Sequence, residues 1–436
     1  MTKPLWDKGG ESDAAMMRYT ARDDWQLDQR LLIHDLRATL AHVRGLSRID
    51  LLSADELSRM EAAIAELVER EERGELIVTR DYEDGHSFIE AELVAKLGDL
   101  GKKVHTGRSR NDQVLVALRL YERDAVDALT AATKQAALVL LDRAEADRDL
   151  PMPGYTHLQR AVPSNVGLWL SATAESLADA LDMLVAVRRL LDRSPLGGAA
   201  GYGVNLALDR AGVAEELGFA AVADNPMTSQ ASRGVVEVQL CTAAWQVMAA
   251  VRRFAWDLSL FTTSEFGFVR LDDALTTGSS IMPNKRNPDV VELMRAACGV
   301  VQGAIMELMS GLSLPSGYHR DGQLSKAPLF RAIDETLATI HILPRVVEGM
   351  TLNADRMRAA ITPECYATDR AVELTAQGMP FRDAYRQVAD EIAQLEAGDP
   401  EQSLHARSSP GGPGALRLEA LRRRLEDPVQ HKSTSD

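Results

Sequence analysis

The chain has 436 residues. At about 150 residues per domain that suggests roughly three domains, with enough core to need no disulfide or metal staple. Hydrophobic residues make up 45% and charged residues 26%, which excludes a collagenous, wholly disordered or disulfide-scaffold chain. Lys and Arg number 49 against 64 Asp and Glu, so the net charge is −15. That balance argues against general nucleic-acid or anionic-membrane binding, yet it leaves room for a local basic pocket.

Met1 to Gly10 carries charges and no apolar h-region, so no signal peptide is expected there. No uncharged run reaches the roughly 18 apolar residues of a membrane span. The cysteines Cys241, Cys298 and Cys365 form no CxxC and read as buried thiols in a reducing compartment. The expectation is a cytoplasmic protein.

Helix dominates the pattern, and strand alternation is hard to find. Gly101 to Asn111 is a polar, basic break. Asp112 to Leu150 then runs without Gly or Pro, with Val114, Leu118, Val126, Leu129, Ala132 and Ala136 at helical spacing. Pro151 to Pro163, rich in Pro, Gly and Thr, reads as a loop. Leu168 to Ser194 is a second long helix. Pro195 to Asn205 is Gly-rich. Val235 to Phe266 is a third helix, apolar on several sides, as suits a helix buried in a bundle. Each could be ~40 Å long or more at about 1.5 Å per residue. Helices of that length, apolar on more than one side, point to packing against other subunits. Thr276 to Pro288 and Pro315 to Gln323 are polar breaks. Ser408 to Ala415 is a linker by composition, Leu416 to Glu426 a short basic helix, and His431 to Asp436 a frayed end. The expected division is an N-terminal helical domain (1–106), a central long-helix bundle (107–356), a C-terminal helical domain (357–407) and a flexible tail (408–436).

The strongest chemical signal is the run Gly278-Ser279-Ser280-Ile281-Met282-Pro283-Asn284-Lys285-Arg286-Asn287-Pro288. It offers a mobile glycine, a proton-transfer hydroxyl, a cation and an amide. That set suits an anionic substrate losing a proton next to a carboxylate. A serine hydroxyl is a poor base unless Lys285 and backbone N–H groups stabilise its alkoxide. The competing reading is a polar loop capping the helix from Asp289.

This run resembles the GSSxMPxKxNP signature of the fumarase/aspartase superfamily. Within it, His105 to Gln113 (HTGRSRNDQ), Gly154 to Pro163 (GYTHLQRAVP) and Tyr318 to Lys326 (YHRDGQLSK) are similar to segments of the argininosuccinate lyases. The resemblance covers about Leu5 to Tyr385. It implies an all-α fold, a fumarase/aspartase-like long helical bundle whose subunits pack into a tetrameric core with shared active sites. It also implies cofactor-free β-elimination of argininosuccinate to arginine and fumarate. By that resemblance Ser279 is the base. His157 lies on the acid side, directly or through a water it orders. Glu292 hydrogen-bonds His157, and Lys285 and Asn287 contact the fumarate-side carboxylates. Thr156 and Ser109, Arg110 and Asn111 fit the same anionic end, with Arg110 the better carboxylate fork and Arg108 open between a structural and a binding role. Tyr318, Gln323 and Lys326 match positions around the amino-acid end. Asp84, in Glu83 to Glu90, could pair with a cationic leaving part, while His86 and Glu90 could simply support each other at i, i+4. No HExxH and no Cys/His cluster supports a metal site.

Three positions depart from the family pattern. Asp24 stands where many members have serine, Asn284 where glutamine is commoner, and Gly322 where a larger apolar residue is usual. Asp24 and Gly322 bear on the leaving-group end. Two other readings remain open: fumarate release from another N-substituted aspartate, and a non-catalytic, crystallin-like structural role. Adenylosuccinate cleavage fits less well, because HTGRSRNDQ does not resemble that family's segment.

Overall fold

The structure, a computed structural model, describes residues 13–312 and 314–426. The readings at Met1 to Gly10 and His431 to Asp436 lie outside the described residues. In chain order, α1 (Ala14–Ala21) is followed by α2 (Leu32–Arg48), α3 (Ala54–Glu72) and α4 (Gly85–Leu97). Helix α5 (Arg110–Ala146) has 37 residues. A hairpin of β1 (Pro151–Thr156) and β2 (Gln159–Asn165) comes next. Helices α6 (Val166–Leu190) and α7 (Val235–Phe261), strand β3 (Val269–Leu271), helices α8 (Asp289–Ser310) and α9 (Lys326–Glu348), and strand β4 (Met350–Leu352) follow. Helix α10 (Leu418–Glu426) comes last among the described residues.

The three long helices expected from the sequence are present, and their ends fall near the expected breaks. The hairpin is the difference. Pro151 to Pro163 reads as a loop because its prolines cannot donate to a ladder. A two-stranded pair tolerates them, since each strand has a free edge. Pro153 sits opposite Pro163 in the register.

The chain divides into two compact units, each assembled from separated stretches. The first comprises Met1–Ala128, Leu184–Thr242 and Gln302–Ile333. Its main core joins Leu36, Leu46, Met60, Ile64, Phe88, Leu93 and Val104. Local signals fix its elements. Ser53 and Glu56 make a reciprocal capping box at the start of α3. Ser109 does similar work for α5: its Oγ accepts from the Asn111 N–H, and Asp112 Oδ1 accepts from the Ser109 N–H. The other Asp112 oxygen accepts from the Gly197 and Ala199 N–H groups at 3.0 and 2.9 Å, which pins that Gly-rich loop.

The second unit comprises Leu129–Met183, Ala243–Val301 and Asp334–Asp436. An aromatic cluster supports the hairpin. Tyr155 lies 5.6 Å from Phe266, and Trp169 stacks on Phe254 at 5.5 Å. Trp169 Nε1 donates to Asp257 Oδ2 at 3.1 Å. Strand β3 pairs antiparallel with β4. The stretch beyond Ser408, read as a flexible tail, is docked as far as Glu426. Arg422 pairs with Asp142, and Arg424 with Asp179 and Asp182. Leu418 and Leu425 are buried.

Phe254 is fully buried in this cluster. Phe254→Ala is expected to cost about 3–5 kcal/mol, the usual loss for a buried aromatic. Thermal unfolding followed by circular dichroism reads it; an unchanged midpoint would show that the aromatic cluster does not hold this unit.

Candidate functional site

The first unit contains a cavity of about 390 Å³. Seven of the expected site residues line it: Asp84, Ser109, Arg110, Asn111, Tyr318, Gln323 and Lys326. Asp24, Asp28, Arg233 and Arg320 line it too. The last three were not singled out by motif. Asp28 was legible as the residue one helical turn after Asp24, on the same face. Arg233 carries no local signal.

The walls are built from buried ion pairs. Lys326, at the start of α9, is 1% exposed. Its Nζ lies 2.9 Å from Asp24 Oδ1 and also bonds Asp28 Oδ1. Burial pushes the Lys326 ammonium toward neutrality, but Asp28 and then Asp24 more than offset it and raise its pKa. Burial pushes the Asp24 carboxyl up to about 6, against the pull of Lys326. Asp28 Oδ2 accepts from the Gly85 N–H at 3.1 Å. A Cβ at Gly85 would meet Asp28 Cβ at 3.1 Å, so only glycine allows this approach comfortably.

Asp84 is the N-cap of α4. Its Oδ1 accepts from the Ser87 N–H and hydroxyl at 2.8 and 2.7 Å, and its Oδ2 bonds Arg110. Burial alone would raise its pKa; Arg110, His86 and Ser87 hold it well below the usual carboxylate range. Arg110 also takes Glu83 at 2.9 Å. The fork expected for a substrate carboxylate is therefore engaged by carboxylates of this chain, because two buried acids demand a counter-charge. Asp84 likewise already has its cation. Gln323 Nε2 donates to the Thr20 and Ala21 carbonyls at the end of α1, at 3.0 and 3.1 Å. Arg108 is buried and donates to Thr39 Oγ1 at 3.0 Å, a structural contact. His86 Nδ1 bonds Asp35 rather than Glu90.

The remaining expected residues lie in the second unit. His157 occupies the turn of the hairpin, between the paired Thr156 and Gln159. His157 and Leu158 both have positive φ, 54° and 59°. Two-residue hairpin turns need that conformation, but asparagine and glycine usually supply it. Non-glycine residues pay roughly 1–2 kcal/mol each there. The turn holds Thr156, His157 and Leu158 exposed to solvent.

The signature loop is closed at its base. Thr277 and Asn287 exchange backbone hydrogen bonds of 3.0 and 2.8 Å, and Asn287 Nδ2 donates to the Gly278 carbonyl at 3.2 Å. Arg286 ties the loop to Asp273, just beyond β3. Inside it, Ser279 Oγ accepts from the Ile281 and Met282 N–H groups at 3.3 and 3.1 Å. Two such donors stabilise negative charge on the oxygen. Lys285 is exposed on the same loop, and Glu292 is exposed in the first turn of α8. Among the described residues, no hydrogen bond joins His157 to Glu292 or to Ser279.

The lyase family model matches residues 7–303. A curated relative from Sorangium cellulosum (strain So ce56), named argininosuccinate lyase, is 64% identical over 426 residues, 98% of this chain and 99% of its own. The chain belongs to the argininosuccinate lyase family. A second member, from Stenotrophomonas maltophilia (strain R551-3), is 47% identical over 428 residues, 98% of this chain and 99% of its own. Among solved structures, EDDS lyase in complex with formate has a TM-score of 0.81 at 24% identity, covering 96% of this chain and 90% of that one. A class II fumarase from Schistosoma mansoni has a TM-score of 0.72 at 16% identity, covering 92% and 96%. The all-α, fumarase/aspartase-like fold expected from the motifs is thus the fold of this family member. No helix among the described residues is long and apolar enough to cross a membrane.

The buried His86–Asp35 pair predicts a pH signature. Burial lowers the His86 pKa, but Asp35 raises it above the ordinary 6.5. A raised folded pKa adds stability that is complete below pH 6.5 and lost as pH rises through the folded value. His86→Gln is expected to cost about 3–5 kcal/mol below that pH by leaving Asp35 unpaired. The deficit should shrink toward alkaline pH in paired thermal melts; a constant offset would refute the charged pair.

Proposed function

We propose that this protein splits argininosuccinate into arginine and fumarate by β-elimination, without a cofactor. The observation that carries the reading is full-length similarity to a named argininosuccinate lyase, at 64% identity. The buried, charged cavity lined by the motif residues supports it.

Ser279 is the base. Its oxygen, held by two N–H donors, removes a Cβ proton of the succinyl part. The electron pair passes into the neighbouring carboxylate as an aci-carboxylate. Lys285 and Asn287 meet the charge that grows there, where stabilisation counts for rate. The Cβ proton gone, the C–N bond breaks with the pair returning to form the fumarate double bond. The guanidino nitrogen takes a proton on the His157 side, from the imidazole or a water it orders. Glu292 supports that histidine. Thr156, Ser109 and Asn111 bind the anionic end. Tyr318, Gln323 and Lys326 shape the amino-acid end, with Asp84 and Arg110 as their braced wall. Closure of the signature loop excludes water and completes the site.

The active assembly is a homotetramer. Leu293 is 70%, Met306 58% and Trp256 49% exposed on the long helices of the single chain. Large apolar side chains exposed along long helices mark an interface, and exposed His157, Lys285 and Glu292 need further walls to exclude water. The protein works in the cytoplasm, consistent with three buried free cysteines. Its partners are the small-molecule substrate and its own copies, with no nucleic acid and no membrane.

Fumarate release should be rapid from argininosuccinate and absent from adenylosuccinate, aspartate and malate. Turnover of another N-substituted aspartate instead would favour the second reading. Ser279→Ala should lower kcat by orders of magnitude with the assembly mass unchanged, and His157→Asn should be severely slowed. Near-normal turnover of Ser279→Ala would remove it as base. Light scattering should give the mass of four chains; an active monomer would refute the shared assembly.

A further inference from the structure

The cavity of the first unit holds four carboxylates on or beside its wall, and three are spent. Both Asp28 oxygens are bonded, to Lys326 and to the Gly85 N–H. Both Asp84 oxygens are bonded, to Ser87 and Arg110. Glu83 takes Arg110 and Arg320. Asp24 differs. Its Oδ1 meets Lys326, while its Oδ2 has no hydrogen bond among the described residues. Lys326 in turn is shared between two carboxylates at 1% exposure. It is neutralised within the chain and is a poor anchor for a ligand carboxylate.

A second group borders the same cavity with unmet capacity. Arg233 is 9% exposed. Its one side-chain hydrogen bond among the described residues is a long one, from Nε to Ser325 Oγ at 3.5 Å, and its Nη2 is buried with no partner. Arg233 and Asp24 line the same cavity. Space for this guanidinium comes from Gly322. A Cβ built there would meet Arg233 Cδ at 3.2 Å and Nε at 3.5 Å. A larger apolar side chain would press directly on Arg233. Of the two departures from the family pattern, Asp24 thus lines the cavity itself and Gly322 makes room for Arg233, which lines it too.

We propose that Asp24 and Arg233 form a zwitterion clamp, in which Asp24 Oδ2 accepts the α-ammonium of the substrate's amino-acid end and Arg233 takes its α-carboxylate. The clamp rests on the reading of the substrate as an arginine adduct. A carboxylate and a guanidinium on the wall of one cavity match the two charges of an α-amino acid, and the bound zwitterion gives each a counter-charge. The ammonium also compensates the second negative charge around Lys326. The clamp sets specificity; the chemistry stays with the signature loop.

The test compares kcat/KM for argininosuccinate with that for the same adduct of 5-guanidinopentanoate, which lacks the α-amino group. Charge-assisted hydrogen bonds are worth about 10–100-fold, so the wild type should prefer argininosuccinate by about that factor. Asp24→Ser should bring the ratio close to one. Gly322→Leu, which displaces Arg233, should instead erode the preference for arginine over agmatine as a competitive inhibitor. A ratio that survives Asp24→Ser would overturn the clamp, as would equal losses on both substrates. If the wild type turns over argininosuccinate and the ratio does not move, the clamp fails and the function stands. If the wild type leaves argininosuccinate untouched, it is the function that fails.

Discussion

One buried ammonium organises the first unit. Lys326 sits at the head of a 23-residue helix with almost no contact with water. Burying a lone charge is costly, and the cost falls only when carboxylates with satisfied lone pairs surround it. Asp24 and Asp28 supply them, and the Gly85 N–H satisfies the far oxygen of Asp28. Three stretches distant in sequence are thereby tied to one point. The start of α4, the short helical stretch at 24–31 and the start of α9 cannot drift apart without exposing an unpaired charge. That tie is what makes a cavity wall out of segments that share no secondary structure.

Asp84 and Arg110 repeat the device on the adjoining wall. The same carboxylate that caps α4 receives the guanidinium at the head of α5. Helix starts and ion pairs thus use the same atoms. The consequence is rigidity, since rotating one side chain would break a cap and a pair together. Asp112 does the equivalent for the Gly197 to Ala199 loop. The signature loop is built on the opposite plan. Backbone bonds close its base, its tip is exposed, and its serine is held only by its own neighbours. A wall braced by ion pairs and a loop tied only at its base suit the proposed reaction, which must close over its substrate and then release two products.

The long helices were legible because nothing interrupts them. Runs such as 112–146 contain neither Gly nor Pro and repeat their apolar residues at helical spacing. The hairpin was not legible, because its prolines and glycine carry the composition of a loop; only the aromatic cluster around Tyr155 makes pairing worthwhile. The basic helix after the SSPGGPGA linker was visible, but its docking was not. Arg422 and Arg424 find Asp142, Asp179 and Asp182, which lie more than 240 residues away in sequence. Among site residues, those inside motifs were readable. Arg233 was not, since only the fold brings it to the cavity that Asp24 also lines, more than 200 residues away in sequence.

The departures carry the most information about this chain. A serine at position 24 would leave Lys326 and Asp28 as a neutral pair. Aspartate there adds a second carboxylate, so the cluster carries a net negative charge that suits an α-ammonium. A wall whose one lysine is already outnumbered by carboxylates needs a separate cation if it is also to hold an α-carboxylate. Arg233, with its unpartnered nitrogen and the room that Gly322 leaves, is where this structure provides it. Two positions that look independent in the sequence, 24 and 322, thus act on the same wall. The signature loop, which carries Ser279, Lys285 and Asn287 together, is a separate element from that wall.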